Sequence, residues 1–364
     1  MHVRFLVPGN ISHNSGGNVY NARLTEGLRT LGVDVEVLAA EGDWPDAGIS
    51  ERRRLGRLLG AGEPAAETTS ATVTVVDGLI ACGAPDELEA AAAAGRRAWI
   101  LLHMPFPGHA DGEGRALQAA AGVICSSTSA ADHVRERHGI ATGRVALPGT
   151  DSAPVAAGSD PAHIVSVAAL LPNKCQLLVV EALAKLQDLA WTASLVGTED
   201  ADPAYAAEVR AAISSHGLDR RIRLTGQLAG NALADEWNRA DLSVLVSRAE
   251  SFGLVVTESL ARGIPVIVRA GTGAVEALAL TARDGTLRGG PDALPGAAVV
   301  FAGHESGHPE VLAGLMRKWL SGHALRSDWR TAALAARDHI PGWDTTAQNV
   351  AAILATPAPV HNEA

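Results

Sequence analysis

Two glutamates, Glu250 and Glu258, with seven residues between them, bracket the segment Ser251-Phe252-Gly253-Leu254. A helical pattern begins inside this segment. A helix start leaves backbone N–H groups unpaired and carries partial positive charge, which attracts phosphate. The amides of Phe252, Gly253 and Leu254 fall at that start, and Gly253 admits a ligand close to the backbone. A carboxylate beside a phosphate is repelled, so the two glutamates are read as acceptors for neighbouring sugar hydroxyls. A diphosphate on the amides with hydroxyls on the carboxylates describes a site for a nucleotide-sugar.

The elements around this segment are legible from periodicity. Leu242 to Val246 reads as a buried strand, Ser247 to Ser251 as a polar turn, and Phe252 to Arg262 as a helix closed by Gly263 with Pro265 beyond it. Ile264 to Val268 is the next strand. Strand-turn-helix-strand is the repeat of a parallel sheet covered by helices.

The same punctuation runs through the rest of the chain. His2 to Pro8 is a strand. A loop then leads to Gly16-Gly17 at the start of a helix carrying Tyr20, Leu24, Leu28 and Leu31, closed by Gly32. Adjacent glycines at a helix start suit a phosphate or sugar. Ala98 to His103 is a strand followed by Met104-Pro105-Phe106-Pro107-Gly108, so His103 lies at a strand's C-terminal end, where ligands bind in α/β sheets. Ser127 is predicted to cap a helix through His138. Residues 150–162, rich in Pro, Ala, Gly, Ser and Asp, read as a linker.

A second series starts at His163. Strand Ile164 to Leu170 is followed by Pro172-Asn173-Lys174 and a helix to Gln187. Strand Thr192 to Gly197 precedes Asp200-Ala201-Asp202, read as a polar turn before a helix at Pro203 and not as a metal motif. Strand Ile222 to Thr225 leads into Gly226-Gln227-Leu228, and Asn231 is predicted to cap a short helix. Gly271-Thr272-Gly273 opens a helix at Glu276. A strand at Ala298 to Phe301 and three helical patterns follow, the last from Trp343 to Leu354.

Composition excludes several classes. The 364 residues suit two domains of ordinary size, and 47% hydrophobic residues can fill two cores. No apolar run reaches the ~20 residues of a membrane span, and the start reads as a strand, not a signal peptide. Three scattered cysteines, Cys82, Cys125 and Cys175, fit neither zinc spacing nor a disulfide framework, which points to the cytoplasm. A formal charge of −10 opposes nucleic-acid binding. Arg52, Arg53, Arg54 and Arg57 with Leu55, Leu58 and Leu59 form a short basic amphipathic helix; a solvated face is favoured over membrane docking.

The run from Glu250 through Phe252-Gly253 to Glu258, followed by Gly263-Ile264-Pro265, resembles the signature of glycosyltransferase family 4. These are retaining enzymes of GT-B fold that use nucleoside-diphosphate sugars. The resemblance covers nearly the whole chain, strongest from Ile164 to Glu276 and thin from Glu41 to Ser70. It implies two facing Rossmann-like, doubly wound α/β domains with a cleft between them. Residues 1–155 form the acceptor side and 156–340 the nucleotide-sugar side; in 341–364 a final helix crosses back and a tail from Pro357 frays.

The resemblance also implies roles. Gly16 and Gly17 face the donor diphosphate and acceptor, His103 contacts the transferred sugar, and Lys174 pairs with the diphosphate. His103, Lys174 and Glu250 are thereby the candidate catalytic residues, Ser251, Phe252, Gly253, Leu254 and Glu258 hold the donor, and Gln227 lies beside the nucleobase. Glu276 either touches the sugar or folds its loop. Pro148-Gly149-Thr150-Asp151 is similar to the family's exit from the first domain. One departure stands out: the family's phosphate-binding arginine is replaced by Ala169, for which Arg248 is a candidate substitute.

The expected function is therefore transfer of a hexose-type sugar to a hydroxyl of a small soluble acceptor. It proceeds with retention, without a metal and with no cofactor beyond the donor, with no nucleic-acid partner and no membrane contact. A non-catalytic nucleotide-sugar-binding protein is the rival reading, and a sugar-nucleotide epimerase or hydrolase the third.

Overall fold

Short β-branched runs alternating with helices produce two six-stranded, wholly parallel sheets. The computed structural model describes residues 1–9, 15–61, 72–141, 143–280 and 294–356. The loop preceding Gly16 in part, much of the patternless stretch before Thr72, and the tail from Pro357 lie outside the described residues. The chain divides into two compact units, one of Met1–Gly149 with Pro341–Ala364 and one of Thr150–Ile340.

The first unit runs β1 (His2–Pro8), α1 (Gly16–Thr30), β2 (Asp34–Ala40), α2 (Ile49–Leu59), β3 (Thr72–Asp77), α3 (Gly78–Gly83), α4 (Pro85–Ala93), β4 (Trp99–Leu102), α5 (Ala110–Ala119), β5 (Gly122–Cys125), α6 (Thr128–His138) and β6 (Arg144–Val145). Its strand order is β2-β1-β3-β4-β5-β6, so the winding reverses between β1 and β3.

The second unit runs β7 (His163–Val167), α7 (Gln176–Ala184), β8 (Thr192–Val196), α8 (Pro203–Ser215), β9 (Ile222–Gly226), α9 (Gly230–Arg239), β10 (Leu242–Leu245), α10 (Leu254–Leu260), β11 (Val266–Arg269), α11 (Ala274–Leu278), β12 (Gly296–Val299), α12 (His308–Ser321) and α13 (His323–Ala336). Its order, β12-β11-β10-β7-β8-β9, is that of a dinucleotide-binding sheet, with the reversal between β7 and β10. Trp191, Trp237 and Trp319 are fully buried within this unit.

The last helix, α14 (Trp343–Ala355), packs on α1 in the first unit. Gly27 permits this approach: a Cβ there would lie 2.6 Å from the Cβ of Ala347. The Trp343 ring meets Tyr20 edge-on at 5.7 Å. In α2 the leucines are spent inward, Leu55 and Leu59 being buried in the unit's core. Among the described residues no helix is long and apolar enough to cross a membrane.

Local chemistry explains where elements begin. Ser127 caps α6 by accepting from the Ala130 amide, as its position predicts. Asp202 caps α8 by accepting from Tyr205 N. Asn231, expected as a cap, lies inside the first turn of α9, whose cap position is Ala229; Gly230 with positive φ makes the turn one residue earlier. α3 is absent from the sequence reading. It forms because Asp77 Oδ1 accepts from the Leu79 amide at 2.9 Å and starts a helix directly after β3.

Candidate active site

In the second unit the loops after β7 and β10 meet at the reversal of strand order, the place where open α/β sheets hold ligands. Lys174 closes a one-turn helix after β7, and Glu250 lies in the turn after β10. Lys174 Nζ donates to Glu250 Oε1 at 2.5 Å. The two loops are tied again by Arg248 N donating to the Asn173 carbonyl at 2.7 Å. Two residues that sequence spacing could not relate are thus brought into contact.

The backbone around them is specialised. Gly253 has φ +84° and precedes α10, so the helix starts at Leu254 and not at Phe252. Phe252 turns into the core, 3% exposed, and anchors the loop. The Ser251 hydroxyl is buried without a hydrogen-bond partner among the described residues. Gly273 N donates to the Glu250 carbonyl at 2.7 Å, and any Cβ on Gly273 would strike the Ser251 carbonyl. The glycine-rich segment before α11 therefore sets the shape of the Glu250 loop. Glu276, in the first turn of α11, is buried.

Glu258 lies on α10, half-buried. Burial pushes its carboxyl above the ordinary range, Arg262 opposes this and Asp151 adds to it. Thr150 Oγ1 donates to Thr257 Oγ1 at 2.7 Å, holding the Asp151 segment against α10. Gln227 lies exposed in the loop after β9.

Two arginines, Arg248 and Arg269, lie near the loop that carries Lys174. Arg248, exposed, donates to Glu305 at 3.0 Å. Arg269, at the end of β11, is partly buried: its Nε donates to the Val246 carbonyl at 2.9 Å, Nη2 reaches Cys175 Sγ at 3.6 Å, and the guanidinium lies 4.4 Å from the Phe301 ring. It forms no ion pair among the described residues and stands beside the residue that follows Lys174. Cys175 itself has φ +59°, a left-handed conformation.

In the first unit, His103 follows β4, beside the β1–β3 reversal. Its Nε2 faces Asn21 Oδ1 at 2.8 Å and Asp77 Oδ2 at 3.3 Å, and Asn21 Nδ2 donates to Asp77 Oδ2 at 2.7 Å. Burial alone would raise Asp77, yet hydrogen bonds from His103, Asn21 and the Leu79 amide hold its carboxyl below the ordinary value. With Nε2 directed at these oxygens, Nδ1 is left to face elsewhere. A Cβ on Gly17 would lie 3.1 Å from His103 Cδ2, so the glycine pair and the histidine are neighbours. Gly16 opens α1 behind the Ser15 cap, whose hydroxyl accepts from Asn18 N. Asp77 and Asn21 are the residues that sequence reasoning missed; the available signal was an aspartate at a strand's C-terminal end.

The family model of the glycosyl transferases group 1 matches residues 150–335. D-inositol 3-phosphate glycosyltransferase of Streptosporangium roseum is 27% identical over 271 residues, 67% of this chain and 57% of that protein. Mannosylfructose-phosphate synthase of Agrobacterium fabrum is 30% identical over 111 residues, 29% of this chain and 24% of that protein. The chain thus spans little more than half of the first and about a quarter of the second. Among solved structures, Anabaena HepE in complex with UDP and glucose superposes with a TM-score of 0.71 at 17% identity, covering 97% of this chain and 99% of that one. Sucrose-phosphate synthase of Thermosynechococcus elongatus gives 0.72 at 16%, covering 97% and 98%. The chain belongs to the glycosyl transferases group 1, glycosyltransferase family 4, and has the GT-B fold.

Proposed function

We propose that this protein transfers a hexose-type sugar, with retention, from a nucleoside-diphosphate sugar to a hydroxyl of a small soluble acceptor. The observation that carries the reading is the Lys174–Glu250 ion pair at the strand-order reversal, beside the left-handed Gly253 and the half-buried Glu258. The relatives support it by their names, one an inositol phosphate glycosyltransferase and one a mannosylfructose-phosphate synthase, and HepE by its bound UDP and glucose.

Cleaving the donor puts negative charge on the departing diphosphate and positive charge on the anomeric carbon. Lys174 and the amides that open α10 stabilise the first, with Arg269 adding charge from behind in place of the arginine absent at Ala169. Glu250, released as Lys174 turns to phosphate, accepts sugar hydroxyls, and Glu258 accepts those of the ribose. His103, oriented by Asp77 and Asn21, contacts the transferred sugar. The leaving phosphate takes the acceptor's proton on the face it departs from. Gln227 lies beside the base, Gly16 and Gly17 give the diphosphate and acceptor close approach, and Arg248 and Glu276 border the donor.

A second reading, a nucleotide-sugar-binding protein without transfer, is favoured by Ala169 alone. Incubation with UDP-, GDP-, ADP- and dTDP-sugars, followed by NMR for bound donor and for released nucleotide, separates the two. The expected result is one strong donor, turned over in EDTA, with Lys174→Ala slower by roughly 10²-fold or more, as for loss of one charge-stabilising donor. Binding without turnover in the presence of candidate acceptors would leave the second reading standing. Loss of turnover in EDTA, restored by magnesium, would end the metal-free scheme.

A further inference from the structure

Five arginines gather at the end of the second unit's sheet remote from Lys174. The first residues of β7, β8 and β9, namely His163, Thr192 and Ile222, line a concavity of about 550 Å³ with Arg210, Arg220, Arg221, Arg223 and Arg239. Lys174 and Glu250 follow the opposite ends of strands in this sheet. Five-residue strands put the two places roughly 15 Å apart, so this concavity is separate from the donor site.

The charges do not cancel. Glu236, buried, accepts from His163 Nε2 at 2.9 Å, from Arg239 at 2.6 Å and from Arg223. Arg210 pairs with Glu199. Asp219 also lines the concavity and accepts from the Ser214 hydroxyl. Asp219 is thus the only carboxylate lining the concavity among the described residues, and Glu236 and Glu199 pair with three of the five guanidiniums, Arg223, Arg239 and Arg210. Among the described residues Arg221 donates only to the carbonyls of Gln187, Leu189 and Trp191, and it stacks on the Trp191 ring at 3.8 Å. Carbonyls orient its charge without neutralising it. Arg220 has no hydrogen bond or ion pair among the described residues.

We propose that this concavity is a second binding site, for a small ligand carrying two or more phosphate groups. Guanidinium forks match phosphate oxygens in pairs. Here Arg221 is held by carbonyls and an indole, and Arg223 and Arg239 by one buried carboxylate, so much of the ordering cost is met before a ligand arrives. The volume suits a small molecule. A nucleic acid would meet repulsion from the rest of a chain with formal charge −10. The concavity lies at the end of the sheet opposite Lys174 and Glu250, where the proposed transfer does not occur, so its occupant acts on the enzyme and not as its donor.

Calorimetric titration of the full chain with inorganic tripolyphosphate at low salt tests this. The expected result is binding that survives Lys174→Ala and weakens by roughly tenfold or more in Arg220→Glu. Arg220 is exposed and unpartnered, so the variant retains its fold, checked by its melting curve. Arg115→Glu, an exposed charge reversal in the first unit, should leave the affinity within about twofold. Absence of binding at low millimolar tripolyphosphate overturns the proposal. So does loss in Lys174→Ala, whatever the other variants do, because the anion then occupies the donor site. Equal weakening by Arg115→Glu overturns it as well, by reducing the effect to net charge.

Discussion

At the scale of single residues, the candidate site holds side chains that fold stability alone does not favour. Burial raises the Glu258 carboxyl above its ordinary value. A carboxyl raised in the folded chain binds its proton more tightly there than when unfolded. The stability it contributes is full below the unfolded value of about 4.3 and is lost as pH climbs through the folded value. Glu258→Gln removes that loss. The variant is expected to match the parent in urea unfolding at pH 4.5 and to be at least as stable at pH 7.5. At the same time Glu258→Ala should bind nucleotide about 1–3 kcal/mol more weakly by calorimetry. Unchanged nucleotide affinity in the folded variant would remove Glu258 from the donor site. Cys175 shows the same tension in the backbone. It is the one non-glycine residue at positive φ among those described. Cys175→Gly should stay within about 1 kcal/mol of the parent, relief of strain offsetting lost contacts. Cys175→Val should cost about 2 kcal/mol, because a β-branched side chain tolerates this conformation least. The urea midpoints of the two variants decide the matter.

At the scale of elements, glycines decide which helices touch. Gly27 lies in mid-helix, where glycine costs about 1 kcal/mol relative to alanine, and the near contact of α1 with α14 is the compensation. Gly27→Val should therefore destabilise the first unit by about 1–3 kcal/mol through overpacking. Gly314 makes the opposite case: it lies within α12 and a Cβ there meets nothing within 4 Å. Gly314→Ala should stabilise by about 0.5–1 kcal/mol. Thermal melts of the pair that move in the same direction would refute the packing argument. The same two helices show what a sequence discloses. The 3.6-residue spacing of Tyr20, Leu24 and Leu28 announced α1, and Trp343 to Leu354 announced α14, because each buries one apolar stripe. Their contact was legible only through resemblance, since periodicity names a buried face and not its partner. The candidate site divides in the same way. The Glu250-to-Glu258 segment could be read because its chemistry is local in sequence. The bond from Lys174 to Glu250 spans 76 residues, and His103 reaches Asn21 across 82; strand order creates both, and no local pattern records it. Asp77 went unread for a related reason, since a capping aspartate and a histidine's partner look alike until β3 and β4 are seen to pair.

At the scale of the whole molecule, the proposed scheme gives the two units different work, and that difference is measurable. Each sheet places its candidate residues at its own strand-order reversal: Lys174, Glu250 and Glu258 in the second unit, Gly17, Asp77 and His103 in the first. In the proposed scheme the nucleotide half of the donor belongs to the second unit. Nucleotide alone, without sugar or acceptor, should then stabilise that unit first. A ligand that binds only the folded form adds about 2.7 kcal/mol at a hundred times its Kd. Amide hydrogen exchange should show this as slower exchange in the loop before α7, in the turn before α10 and in α10 itself. The β2 and α2 region of the first unit should exchange as before. Lys174→Ala should abolish the protection at fixed nucleotide concentration, because the ion pair with Glu250 is replaced by no phosphate contact. Protection concentrated around His103 and Gly17 instead would place the nucleotide on the first unit and reverse the assignment of donor and acceptor sides. Protection at Ile222 and Arg223 that persists in Lys174→Ala would report the arginine-lined concavity, so one experiment reads the two proposed sites separately.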